Sequence, residues 1–157
     1  MDIHFNGIMF VVIAAMLAGC EQPPPPEEPY QSVTDVAGLM RQVLEPASDV
    51  LWDSAGSIMT EAGEERLAPT TDEGWLVVQQ QATVVAESGN TLMMPTYAPD
   101  QGDWVEFSKG LVAAGKVAME AAANQDEEAL FQAGARLYSV CVACHQLYWT
   151  NAPQAAE

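Results

Sequence analysis

Apolar residues recur at steps of three and four along most of the chain, which is the spacing of one face of an α-helix. The pattern predicts four helices, at residues 32–59, 71–88, 103–123 and from residue 124 or 126 to 149. No stretch alternates apolar and polar residues for long enough to predict a β-strand. Four amphipathic helices with short or moderate connections predict an all-α fold, an antiparallel four-helix bundle.

Local signals mark the ends of these helices. Ser32 and Thr70 each stand three positions before an acidic residue, as in a capping box. Gly89 suits the position just after the second helix. Pro46 lies inside the first predicted helix and has no backbone N–H to donate, so we expect a kink or a break there.

Charge and composition narrow the class of protein. The chain has 157 residues, with 5 Lys and Arg against 22 Asp and Glu, a net charge of -17. This length suits one domain, and such acidity excludes binding to nucleic acid or electrostatic docking on an anionic bilayer. Much of the acidity falls at predicted helix starts, where it stabilises the helix dipole. Those acids are Asp35, Asp72, Glu73, Asp103, Glu106, Asp126, Glu127 and Glu128.

The first twenty residues have the pattern of an export signal. An unbroken apolar run covers residues 8–18 and ends in Leu17-Ala18-Gly19-Cys20. The run is too short to span a bilayer comfortably and fits a signal peptide. Its end resembles the lipobox of bacterial lipoproteins, which implies cleavage after residue 19 and acylation of Cys20. The alternative is an uncleaved hydrophobic anchor with a free Cys20, and both place the domain outside the cytoplasm at a membrane.

Residues 20–31 contain four consecutive prolines and predict a lipid-anchored, extended tether. At about 3.1 Å per residue, its last eleven residues span up to ~34 Å. The bundle domain is then expected at residues 32–157. With residues 1–19 removed, His145 is the sole histidine.

One motif carries candidate chemistry. Cys141-Val142-Ala143-Cys144-His145 has the C-x-x-C-H pattern of c-type haem attachment. On a helix these residues share one side, so both thiols can bond to the haem vinyl groups while the imidazole ligates the iron. Zinc would need a fourth ligand, and a redox dithiol would need a βαβ context. A plain Cys141–Cys144 disulfide leaves the adjacent histidine unexplained.

The position of this motif on the last helix resembles the class II cytochromes c, which include cytochrome c′. The resemblance covers residues 32–149 and is specific at residues 137–148. It implies one covalent haem c near the C-terminal end of the last helix, with His145 as the proximal iron ligand. It also implies a methionine early in the first helix as the sixth ligand, and Met40 is the candidate. Leu39 or Val43 over that face would instead leave the iron five-coordinate.

The leading hypothesis is a periplasmic, membrane-tethered electron carrier rather than an enzyme. Its partners would be redox proteins with a basic docking face, and class II relatives imply a possible homodimer. The alternatives are a five-coordinate protein that binds or senses NO or CO, and a non-haem structural lipoprotein. Four aromatic side chains are candidates to line the haem or to fill the core: Trp52, Trp75, Trp104 and Tyr148.

Overall fold

The structure is a computed structural model that describes residues 29–149. Contacts divide the chain into residues 1–31 and 32–157, and the elements described belong to the second unit. In chain order they are α1 (Val36–Leu39), a π-helical turn (Met40–Leu44), α2 (Glu45–Asp53), β1 (Ser57–Thr60), β2 (Gly63–Arg66), α3 (Asp72–Leu92), α4 (Asp103–Ala123) and α5 (Glu127–Tyr148).

The described part of the chain is mostly helical, which confirms the all-α class. We call α1, the π-helical turn and α2 together the first helix, because they run on without a break. The backbone N–H of Glu45 donates to the carbonyl of Met40, the wider bonding of a π-turn, immediately before Pro46. A π-turn adds one residue and so rotates the later residues of the helix about its axis. Val43, expected on the core face, is therefore 36% exposed, whereas Leu44 is buried.

Capping residues explain where the helices begin, with corrections to the sequence predictions. The first helix begins after Asp35, whose carboxylate accepts from the Gly38 N–H at 2.6 Å, so Ser32 is not its cap. In α3 the capping hydroxyl belongs to Thr71 rather than Thr70. The predicted bounds of α4 are confirmed at both ends. The helix α5 begins after Asp126, which is one of the two starts that the sequence predicted.

The prediction that α3 ends before Gly89 is wrong. The helix continues to Leu92, and Gly89 is buried where α3 and α4 approach closely. A Cβ at Gly89 would stand 2.7 Å from the Ser108 carbonyl oxygen of α4. This glycine is therefore used for close helix packing, not for ending a helix.

A β-hairpin, which the sequence did not predict, replaces the end of the first predicted helix. The helix stops at Asp53, and strands β1 and β2 pair antiparallel from Ser57↔Arg66 to Thr60↔Gly63. Each strand has only four residues and both are exposed, so neither has the alternation of a half-buried strand. Gly56, at φ 84°, turns the chain out of the helix.

Contacts show how the helices pack. At one end of the α3–α4 pair, Trp104 Nε1 donates to the Leu92 carbonyl at 2.6 Å. At the other end, Gln125 donates to Asp72 at 2.8 Å, so α3 and α4 run antiparallel. The helices bury a common apolar core that includes the predicted stripe residues of α3, Trp75, Val78, Ala82 and Val85.

The first helix also runs antiparallel to α5. Trp52 Nε1 donates to the Gly134 carbonyl at 3.1 Å. Just beyond the end of the first helix, Gly56 lies against the ring of Phe131, 3.3 Å from where a Cβ would stand. The two helices therefore run in opposite directions. Residues earlier in the first helix correspond in height to residues later in α5.

Candidate functional site

The C-x-x-C-H residues lie in the last two turns of α5. The helix forms because Asp126 accepts from the Ala129 N–H at 2.9 Å and acidic residues occupy its first turn. Cys141, Cys144 and His145 are all partly exposed, whereas Leu137, one turn earlier, is buried. The apolar stripe of α5 thus changes from core to accessible donor atoms where the motif begins.

The two thiols are free in the structure. Burial raises the pKa of Cys141, and burial followed by the charge of Cys141 raises the pKa of Cys144. Both are therefore thiols at neutral pH.

His145 presents a neutral imidazole. Burial lowers its pKa below the usual range, so at pH 7 the ring keeps a nitrogen lone pair that can ligate a metal. The Trp149 ring meets the imidazole edge-on, with 4.8 Å between centroids and 74° between planes. The Trp149 N–H also donates to the His145 carbonyl at 2.9 Å, which closes the last turn.

The motif does not form a metal site on its own. Between residues 29 and 149, no three His, Cys, Asp or Glu side chains are grouped so as to hold an ion. Two free thiols and one neutral imidazole on a single accessible side instead fit attachment to separate points of a macrocycle. The donor set therefore fits a haem c.

Met40 lies in the π-helical turn, partly buried and packed against the core. The stretch from Trp52 back to Met40 has the same length as the stretch from Gly134 forward to Gln146. Because these segments run antiparallel from the Trp52–Gly134 hydrogen bond, Met40 comes to the same end of the molecule as His145. No described contact joins the two side chains.

The two alternative residues for the distal face differ in position. Leu39, beside Met40, is 6% exposed and belongs to the core. Val43 is turned outward by the π-turn. Of the two, only Leu39 packs into the interior at this level.

Sequence reasoning missed one residue at this end of the molecule, Asp100. Its carboxylate accepts from the Tyr148 hydroxyl at 2.6 Å. The Tyr148 ring packs edge-on against Trp104, at 5.0 Å, and against Phe107. Trp104 is buried, which confirms the core prediction for it, as for Trp75. No local signal could identify Asp100, because its partner lies 48 residues away.

A surface depression on α4 and α5 lies apart from these residues. It has a volume of about 410 Å³ and is lined by Val117, Gln132, Ala133, Ala135, Arg136 and Ser139. It contains none of the motif residues. Five of its six lining residues precede the motif along α5, and the sixth, Val117, lies on α4.

Three further predictions concern the N-terminal part of the chain. The predicted signal peptide, the acylation site Cys20 and most of the tether lie outside the described residues. Within residues 29–149, no helix combines the length and apolar character needed to cross a bilayer.

No protein-family model, curated protein or solved structure matches this chain. A function can therefore be inferred only from the residues of the chain. The most informative are Cys141, Cys144 and His145 on α5 and Met40 in the first helix.

Proposed function

We propose that this protein is a membrane-tethered, periplasmic c-type cytochrome that carries single electrons. The observation that carries the proposal is the attachment motif on α5. Its two free thiols and its neutral imidazole are partly exposed on one helix side. Bound haem c would supply an iron that cycles between Fe(II) and Fe(III), and the protein residues would hold it and set its ligands.

Cys141 and Cys144 would attach the haem. Each thiol would add across one vinyl C=C bond, with the sulfur bonding to one carbon and the hydrogen going to the other. The addition forms a thioether and needs no oxidant. Because both thiols are protonated at neutral pH, each already carries the hydrogen that this addition uses.

His145 and Met40 would ligate the iron. The neutral imidazole of His145 can ligate without first losing a proton. Met40 is supported by the antiparallel course of the first helix and α5, in which residues early in the first helix correspond to residues late in α5. His/Met ligation raises the reduction potential relative to two harder ligands and suits electron transfer.

The helix contacts support an antiparallel four-helix bundle around this site. Neighbouring helices α3 and α4 run antiparallel, and so do the first helix and α5. In such a bundle, cofactor sites are built from side chains on facing helices. The first helix and α5 would each supply one ligand.

The N-terminal segment and the charge of the chain support the proposed location of the protein and the kind of partner it would bind. Acylated Cys20 and the tether at residues 20–31 would keep the domain at residues 32–157 near membrane redox proteins. The net charge of -17 favours a partner with a basic docking face. A homodimer is compatible with this arrangement.

Mass spectrometry and optical spectroscopy test the proposal on the purified full-length protein. We expect the mass of one haem on the peptide that contains Cys141 and Cys144. We expect a low-spin ferric spectrum that becomes high-spin in Met40→Ala. Met119→Ala is the matched control, since Met119 is also partly buried against the core but lies late in α4. Absence of added haem mass would support the non-haem lipoprotein and overturn the cytochrome.

The second candidate function is a five-coordinate haem protein that binds NO or CO. It is favoured by Leu39, which is buried beside Met40 and can cover the distal face with apolar atoms. In that case the unmutated ferric protein is high-spin and Met40→Ala leaves its spectrum unchanged. The reduced protein would then bind CO rapidly, without displacing a methionine.

A further inference from the structure

We propose that Asp100 and Tyr148 form a positioning pair that holds the last turn of α5, and with it His145, against the start of α4. The proposal rests on the proposed function, because its consequence is the orientation of the iron ligand. Tyr148 acts through the backbone of α5 and does not itself ligate the iron.

The carboxylate of Asp100 is the fixed half of the pair. Its Oδ1 accepts from the Gly102 N–H at 2.8 Å and from the Trp104 N–H at 3.3 Å. Gly102, the N-cap residue of α4, has no side chain with which to satisfy these first N–H groups. Asp100 thus caps α4 from two residues before the cap position, and this leaves its Oδ2 free for another donor.

Tyr148 is the other member of the pair, and it lies where a helix is least ordered. It is the last residue of α5, where helices fray because the final carbonyls lack helical partners. Its hydroxyl donates to Asp100 Oδ2 at 2.6 Å. Its ring stands nearly perpendicular to that of Trp104, at 86° and 5.0 Å between centroids. A hydrogen bond and an aromatic contact therefore fix the same side chain.

The contacts of the Asp100–Tyr148 pair also reach a third helix, α3. Trp104 Nε1 donates to the Leu92 carbonyl at the end of α3, and this bond is buried. The last turn of α5 is consequently tied to the first turn of α4 and, through Trp104, to the last residue of α3. A movement of Tyr148 would have to break contacts with both Asp100 and Trp104.

His145 lies one turn before Tyr148 on the same side of α5. Residues three apart on a helix are neighbours, so the backbone that carries the imidazole is anchored one turn beyond it. Ligand orientation and outer-shell contacts tune the properties of a bound metal. Trp149, packed on the imidazole, steadies the ring itself. The Asp100–Tyr148 pair steadies the helix turn from which the ring projects.

Both groups are in the protonation states that the bond requires. Hydrogen bonding from Tyr148 and then from the Gly102 N–H lowers the pKa of Asp100. The bond to Asp100 raises the pKa of Tyr148 to about 12. At neutral pH the pair is therefore a phenol donating to a carboxylate.

The test uses two conservative variants of the full-length, haem-loaded protein, Tyr148→Phe and Asp100→Asn, and the double variant. Tyr148→Phe removes only the hydroxyl and keeps the ring on Trp104 and Phe107. Asp100→Asn keeps one oxygen for the α4 amides but replaces an acceptor by an amide N–H₂. Tyr138→Phe is the matched control, since Tyr138 is an exposed tyrosine earlier on α5. The readouts are haem content by mass, reduction potential, and hydrogen exchange of the last-turn amides of α5.

We expect each single variant to retain one covalent haem and to shift the reduction potential, Asp100→Asn also through the loss of a negative charge. The double variant should shift it no further than Asp100→Asn alone, and Tyr138→Phe should leave it unchanged. Exchange of the last-turn amides should quicken severalfold in both single variants. An unchanged potential in Tyr148→Phe, which alters no charge, with haem bound, would overturn the pair even if stability fell. Failure of the unmutated protein to carry haem would instead overturn the proposed function.

Discussion

At the scale of single residues, the hydrogen bond between Tyr148 and Asp100 predicts how stability depends on pH. The pKa of Tyr148 is raised to about 12 in the folded protein from an ordinary 10.0. Its stabilisation is therefore complete below pH 10 and is lost as the pH rises from 10 to 12. The pKa of Asp100 is lowered from an ordinary 3.8, so its stabilisation is present above that pH and is lost as the pH falls through the lowered value.

Tyrosine labelled at its ζ-carbon lets NMR detect this titration, and Tyr148→Phe assigns the signal. We expect the Tyr148 signal to titrate near pH 12, and at lower pH in Asp100→Asn. The loss of stability between pH 10 and 12 should also shrink in that variant. An identical titration in the two proteins would show that Asp100 does not hold the phenol.

The candidate site shows which residues a sequence can identify by itself. Cys141, Cys144 and His145 are recognisable because the motif is contiguous and its spacing has a chemical meaning on a helix. Met40 was chosen from its place on a predicted stripe, and its role stays a prediction. Asp100 could not be identified from the sequence, since its partner is brought to it only by the packing of α4 and α5.

At the scale of elements, the close approach of α3 and α4 predicts a difference between two glycines. Gly89→Ala would put a Cβ 2.7 Å from the Ser108 carbonyl oxygen, which is backbone and cannot move away easily. We expect a loss of about 1–3 kcal/mol in the free energy of unfolding. Urea unfolding monitored by circular dichroism measures it.

Gly110→Ala is the control for this prediction. A Cβ there would stand 3.5 Å from the methyl groups of Val140, an ordinary contact. Alanine also favours a helix over glycine by up to about 1 kcal/mol. We therefore expect unchanged or higher stability. Equal losses at Gly89 and Gly110 would contradict the assignment of the effect to the close approach of α3 and α4.

The helices were predictable to different degrees for a physical reason. The bounds of α4 were predicted correctly because acidic residues mark its first turn and its periodic apolar stripe continues into its last turn. The first helix was predicted too long, because the exposed hairpin that follows it has no alternation of buried and exposed residues by which a strand could be recognised. Its core face was misplaced at Val43 because the π-turn before Pro46 adds one residue to the helical count.

At the scale of the whole molecule, acidity predicts a dependence on salt. Among the described residues only two ion pairs form, Arg66 with Glu127 and Lys109 with Glu106. With a net charge of -17, repulsion between like charges outweighs these exposed pairs. We expect the free energy of unfolding to rise by about 1 kcal/mol between roughly 0.01 and 0.15 M NaCl, as the Debye length falls from about 30 to about 8 Å.

Urea, which is uncharged, allows this measurement at each salt concentration. Arg66→Gln serves as a control, since it removes one attractive pair and should make the rise with salt steeper. Stability that falls as salt is added would mean that attractive pairs outweigh the repulsion.

The sequence by itself determined the helical class, the positions of the main apolar stripes and the attachment motif. These depend on spacing along one helix, so neighbouring residues are sufficient to specify them. Only the tertiary structure decided that Gly89 serves helix packing, that Val43 faces outward, and that Asp100 holds Tyr148. Such relations join residues far apart in the chain, and the packing of whole helices sets them.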